Sequence, residues 1–189
     1  MTVLFVGVVQ SADIAAALGA PRFGEVMAAL FDCWAMVVRR YGGIVDTCTE
    51  AGVVAVFGAP VALADHAVRA CCAALDIHTE TQCLSAQLED ADGVLLQLRV
   101  GLHSGRVIVG GSGCTPLSYT TLGAEAGLAQ RVESVAPPGG VMLTETTAGL
   151  VHTRAVLGER ETVNGAPARR LISMANQRRW IDPDREMSA

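Results

Sequence analysis

Three short stretches hold the residues best suited to chemistry. VDTCTEAGVVAVFG, residues 45–58, places the carboxylate of Glu50 beside Ala51 and Gly52 in a tight turn between two strand-like runs, with Asp46 just upstream. GLHSG, residues 101–105, carries His103 at a turn, and AQRVES, residues 129–134, carries Arg131 between the acids Glu125 and Glu133. A turn carboxylate suits a hard cation, a histidine suits proton transfer, and an arginine suits phosphate. Glu50 and Asp46 read as solvated turn charges, and His103 as a structural or exposed residue. Arg131 reads either as a phosphate contact or as a partner for Glu125, Glu133 or another chain. No GxGxxG or GxxxxGK[ST] phosphate loop, no HExxH and no GxSxG is present.

The elements that must position these residues are legible from periodicity. Thr2–Val9 is a continuous apolar run and reads as a central strand. Ser11 is placed to cap a short helix, Ala12–Leu18. Pro21 opens a long helix whose stripe runs Phe23, Val26, Met27, Leu30, Phe31, Trp34, Val37, Val38, Tyr41, ended by Gly42-Gly43. Trp34 on that stripe reads as core or dimer packing rather than as a ligand contact. The hairpin Ile44–Cys48 and Val53–Phe57 follows, then a helix over Leu63–Ala86 and a polar turn at Asp90–Gly93. Leu95–His103 alternates as a half-buried strand, with Leu96, Leu98, Val100 and Leu102 on one side and Gln97, Arg99 and His103 on the other. Arg106–Gly110 would complete a second hairpin. A strand stub at Tyr119–Leu122, a helix near Gly123–Val135, a strand at Val141–Leu143, a helix at Glu145–Leu150 and weak strands at Ala155–Leu157 and Ala168–Ile172 follow. Strands arranged as hairpins between helices imply an α+β fold with a mostly antiparallel sheet.

Composition narrows the function. The chain has 189 residues, net charge −5 and 51% hydrophobic residues, enough for one domain with a real core. With no basic stripe and 4% aromatics, direct nucleic-acid binding is not expected. No apolar run is long enough for a membrane span, and MTVLFVGVV lacks the basic start of a signal peptide, so a cytoplasmic location is expected. The six cysteines, Cys33, Cys48, Cys71, Cys72, Cys83 and Cys114, show no CxxC and are expected as reduced, buried thiols.

Five segments in this order and spacing resemble the class III adenylate/guanylate cyclase catalytic domain: Val3–Ser11, the helix ending RRYGG, the hairpin ending VFGAP, GLHSGRVIVG, and SYTTLGAEAGLAQRVES. The stretches VFGAPVALADHAVRACCAALDI and SYTTLG…AQRVESVAPPGGVML are similar to the cyclase-like domains of actinobacterial multidomain regulators. RYGG also suggests the GGDEF signature, but Ile44-Val45 follows it here rather than an acidic pair. The resemblance covers about residues 2–173, leaving 174–189 as a polar tail or linker, and implies a ferredoxin-like cyclase fold. It further implies a head-to-tail dimer in which two aspartates hold two Mg or Mn ions and the partner chain reads the base of ATP or GTP.

Carried over residue by residue, the family's site is largely missing. Gly7 stands at the first metal aspartate, Ala51 at the second, and Gln10 at a phosphate-loop glycine. Thr47 stands at the base-reading lysine, Gly127 at the transition-state asparagine and Asn164 at the phosphate lysine. Thr120 at the base-reading aspartate can still make one hydrogen bond, and Arg131 matches the transition-state arginine. Neither Gly nor Ala ligates a cation through its side chain, and Glu50 points to the wrong face to substitute. The resemblance therefore implies no bound cofactor in ordinary use, with Mg or Mn and ATP only if residual activity survives. It favours a homodimer or heterodimer with another cyclase-like domain, weak ATP or GTP binding, and a regulatory role. The alternatives are residual cyclase activity in a heterodimer and a pure interaction scaffold.

Overall fold

The computed structural model describes residues 1–49, 52–106, 122–163 and 165–175. Four strands and two helices form its heart. They are β1 (Thr2–Val8), α2 (Ala20–Arg40), β2 (Ile44–Thr49), β3 (Gly52–Phe57), α3 (His66–Asp92) and β4 (Leu98–Ser104). These strands lie in the order β2-β3-β1-β4, the split βαβ arrangement of ferredoxin-like folds. A short α1 (Ser11–Leu18) precedes α2. After β4 come α4 (Leu122–Glu133), β5 (Gly140–Thr144), α5 (Glu145–Val151), β6 (Ala155–Val163) and β7 (Ala166–Met174), which extend the sheet to β2-β3-β1-β4-β5-β7-β6. Among the described residues only β4 and β5 run parallel, because α4 carries the chain back across the sheet between them; the other pairings are antiparallel. The expected α+β class with a mostly antiparallel sheet is what the chain forms.

The sheet buries both faces. Leu4, Val6 and Val8 of β1 join Leu98, Val100 and Leu102 of β4 in the large core under α1, α2, α3 and α5. The alternate residues Val3 and Phe5 meet Val54, Val56 and Ala129 beneath α4. Trp34, expected in the core, is fully buried, and its indole Nε1 donates to Thr81 Oγ1 at 3.0 Å. Tyr41 donates to Asp76 at 2.7 Å, and burial pushes its hydroxyl pKa up. These bonds tie α2 to α3 at groups that would otherwise be stranded in apolar surroundings.

Several boundaries differ from the sequence expectation. Helix α3 runs to Asp92, so Asp90 lies in helix rather than in a turn, and Gly93 caps it in a left-handed conformation. Exposed polar residues cover this last stretch, which weakened the apolar signal without breaking the helix. The first helix starts at Ser11 with Gln10 as its cap, and no side chain caps it. The two weak closing strands are each nine residues long. As a hairpin at the sheet edge, β6 and β7 leave most of their side chains exposed or half-buried, which dilutes the apolar pattern. Strand β4, expected half-buried, is covered on both faces because α4 lies over its second side. Cys71 and Cys72 are buried as expected, whereas Cys33 is half-buried and Cys48 and Cys83 are exposed. Cys114, the Arg106–Gly110 strand beyond Arg106, the stub before Leu122 and the tail after residue 175 lie outside the described residues.

Candidate nucleotide site on the α4 face

Position 7 sits where alternation along β1 sends it, on the same face as Val3 and Phe5, toward α4. Its cross-strand neighbours are Gly52 on β3 and Arg99 on β4. Arg99 is paired in turn with Gly140 on β5. This row of four strands therefore carries one side chain, the guanidinium of Arg99. Gly52 cannot be replaced, since its φ is +150° and an added Cβ would meet the Val6 carbonyl oxygen at 1.9 Å. The hairpin can thus close on β1 only with glycine at this point.

Helix α4 docks on β4 through three matched positions. A four-residue step along a helix advances about 6 Å and a two-residue step along a strand about 6.6 Å, so the two repeats stay in register for a few steps. The helix runs antiparallel to the strand, so Glu125 meets His103, Ala129 lies over Gly101, and Glu133 reaches toward Arg99. Glu125 Oε2 lies 2.5 Å from His103 Nε2, a close polar contact without an aligned hydrogen bond. His103 Nδ1 meets Thr144 Oγ1 at 3.0 Å, and Thr144 meets Thr147 at 3.2 Å. At Gly101 an added Cβ would lie 2.1 Å from the Ala129 carbonyl oxygen. At the far end Arg99 Nε is buried with no hydrogen-bond partner. Burial pushes the Glu133 carboxyl pKa up to about 7, with the Arg99 charge opposing that shift. His103 is accordingly structural, one of the two alternatives its sequence context left open.

Arg131 lies on the opposite side of α4, exposed, with Nε donating to its own helix at Gly127 O, 3.3 Å away. The pairing with Glu125 or Glu133, one of the alternatives for Arg131, does not occur: both acids turn to the sheet, toward His103 and Arg99, while residue 131 turns away from it. Gly127 shares the Arg131 side of the helix, and nothing lies within 4 Å of the place its Cβ would occupy. Gln10 adopts the left-handed conformation at φ 53°, the geometry glycine provides most cheaply. Thr47 is exposed on β2, its hydroxyl donating to Asp46 at 2.8 Å. Glu50, Ala51, Thr120 and Asn164 lie outside the described residues. Sequence reasoning missed Arg99, Glu125 and Glu133. The available signal was a charge on a strand whose other face is apolar, matched by two acids eight residues apart, two four-residue steps, on the next helix.

The fold and this face together define a nucleotide cyclase scaffold. The adenylate and guanylate cyclase catalytic domain family matches residues 1–166, and the chain belongs to that family. Adenylate cyclase 1 of Rhizobium meliloti is 30% identical over 115 residues, which is 59% of this chain and 17% of that protein, so the chain spans about a sixth of that relative. Among solved structures, the guanylyl cyclase Cya2 superposes with a TM-score of 0.82 at 22% identity over 93% of this chain and 92% of that one. The adenylyl cyclase CyaB from P. aeruginosa gives 0.79 at 20% identity over 93% and 95%. The guanylate cyclase domain of RhGC from Catenaria anguillulae, solved with GTP, gives 0.74 at 22% identity over 92% and 96%. No helix among the described residues is long and apolar enough to cross a membrane.

Proposed function

We propose that this domain is a catalytically degenerate member of its family, working as a dimerising, nucleotide-sensing regulatory module. The observation that carries this reading is the row Gly52-Gly7-Arg99. Divalent metal belongs to the family's chemistry, and these residues do not fit it. Position 7 offers no oxygen, its neighbour is a permanent cation, and position 51 is alanine. Among the described residues no three His, Cys, Asp or Glu side chains gather to hold an ion. Mg²⁺ needs several oxygen ligands, and a guanidinium beside the site repels it. What Arg99 offers instead is a planar, charged guanidinium of the kind that suits phosphate oxygens. Arg131, exposed on the far side of α4, is a separate guanidinium that does not share the Arg99 position.

The reading predicts ATP or GTP binding that does not require Mg²⁺. Calorimetric titration in excess chelator should give the same affinity as in Mg²⁺, and Arg99→Ala should weaken it about tenfold or more. Turnover to cAMP or cGMP by the pure chain in Mn²⁺ would overturn the degenerate reading. Binding that vanishes with chelator would overturn the metal-free one. A second reading, residual cyclase activity in a heterodimer with a metal-competent partner, is favoured by one observation: Arg131 is presented outward with no acid attached among the described residues.

A further inference from the structure

Helices α2 and α3 pack antiparallel, and the bonds between them mark a ladder. Arg22 Nη2 meets Asp92 at 2.9 Å, Trp34 meets Thr81 at 3.0 Å, and Tyr41 meets Asp76 at 2.7 Å. Arg40 reaches Glu80 at 3.5 Å on the outer side of the same seam. A groove of about 170 Å³ between the helices is lined by Ala29 of α2 and Gln87 of α3, among others. Stepping one helical turn along each from that level reaches Cys33 and Cys83. The Trp34–Thr81 rung places them level too, since Cys33 precedes Trp34 and Cys83 follows Thr81 by two. The Cys33 thiol is pushed up chiefly by burial, with Glu80 adding, Arg40 opposing and the Cys83 thiol adding least. Cys83 is exposed and Cys33 half-buried, whereas Cys71 and Cys72 lie in the core, where burial lifts Cys72 to about 11.

We propose that Cys33 and Cys83 form an oxidation site, a thiol pair that closes to a disulfide across the α2–α3 seam. Helices packed with axes about 8–10 Å apart bring facing Cα atoms within the roughly 4.4–6.8 Å that a disulfide spans. The oxidant is a low-molecular-weight disulfide. The exposed Cys83 thiolate attacks one of its sulfurs and expels one thiolate, leaving a mixed disulfide. Cys33 then gives its proton to solvent and attacks the Cys83 sulfur, expelling the second thiolate. The protein loses two electrons and two protons, and the small disulfide is reduced to two thiols. The loop closed by the new bond contains β2 and β3, so oxidation pins both helices at the root of the hairpin that carries position 51. This proposal stands apart from the nucleotide reading, and nucleotide binding is not its readout.

The test is peptide mapping of the full chain after incubation with oxidised glutathione. The expected product is one intramolecular link between the Cys33 and Cys83 peptides, with loss of two hydrogens. It is reversible by dithiothreitol and raises Tm by about 5–15 °C. Cys33→Ser should instead leave a stable glutathione adduct on Cys83, and Cys83→Ser should remove the link. A chain-to-chain bond through Cys48, a link involving any other cysteine, a Cys83 adduct that never resolves, or no reaction would each overturn the proposal. The wild-type map decides by itself if a serine variant fails to fold.

Discussion

Charges that face the sheet under α4 are the unusual residues of this domain, and Glu133 makes its own prediction. Burial holds its carboxyl pKa near 7, above the ordinary carboxylate range. The folded state therefore binds this proton more tightly than the unfolded chain does. Stability from this group is complete below the unfolded pKa and is lost as pH rises from the ordinary range to about 7. Glu133→Gln keeps the shape and removes the titration. Urea denaturation should show variant and wild type equal near pH 4.5, and the variant more stable at about pH 8 by about 1–2 kcal/mol, a shift discounted for partial exposure. The sign holds because burial outweighs the opposing charge of Arg99. A variant less stable than wild type at high pH would mean that the Arg99 pairing, not desolvation, dominates at this position.

At the level of elements, the docking of α4 is a match of two repeats, and Gly101 is its contact point. A methyl there would lie 2.1 Å from Ala129 O and 2.5 Å from Glu133 N, both backbone atoms of the helix. No side-chain rotation relieves such a clash, so α4 as a whole must lift. Gly101→Ala should cost about 2–4 kcal/mol in denaturant unfolding, at or above the upper end of overpacking penalties because the obstacle is backbone. Gly127→Ala, on the open side of the same helix, should instead stabilise by up to about 1 kcal/mol. This docking also shows what the sequence made legible. β1, α2 and the Trp34 stripe were plain because a buried run and a 3.6-residue period are local signals. The end of α3 and the lengths of β6 and β7 were blurred by exposed polar residues, where local pattern and solvent compete. The role of Arg99 was invisible for another reason. It depends on which residues sit beside it on β1 and which helix lies above it, and neither relation is local in sequence. The vacancy at Gly7 was visible only through resemblance to the cyclase domain, and what neighbours it only through strand register.

For the whole molecule, the question is what a cyclase scaffold does once its metal corner is bare. A family site assembled between two chains divides the labour, so loss of one half need not disable the other. On the reading proposed above, the metal half is the degraded one, with Gly7 and Ala51 at the expected ligand positions. On the partner-facing half, Asn is replaced by Gly127 and Lys by Asn164, yet Arg131 remains exposed on α4 and free of any carboxylate among the described residues. If the heterodimer reading is right, a cyclase domain bearing both metal aspartates but lacking its own transition-state arginine should gain activity when mixed with this chain. That gain should fall about 10²–10³-fold with Arg131→Ala, the usual effect of deleting one preorganised charge at a reacting phosphate. Association, read by sedimentation, should be unchanged, because an exposed arginine contributes little to a buried apolar interface. Complementation that survives Arg131→Ala would assign the arginine to the surface. Absence of complementation despite a stable mixed dimer would leave regulation by dimer formation as the domain's activity, with Arg99 as its contact for nucleotide phosphate.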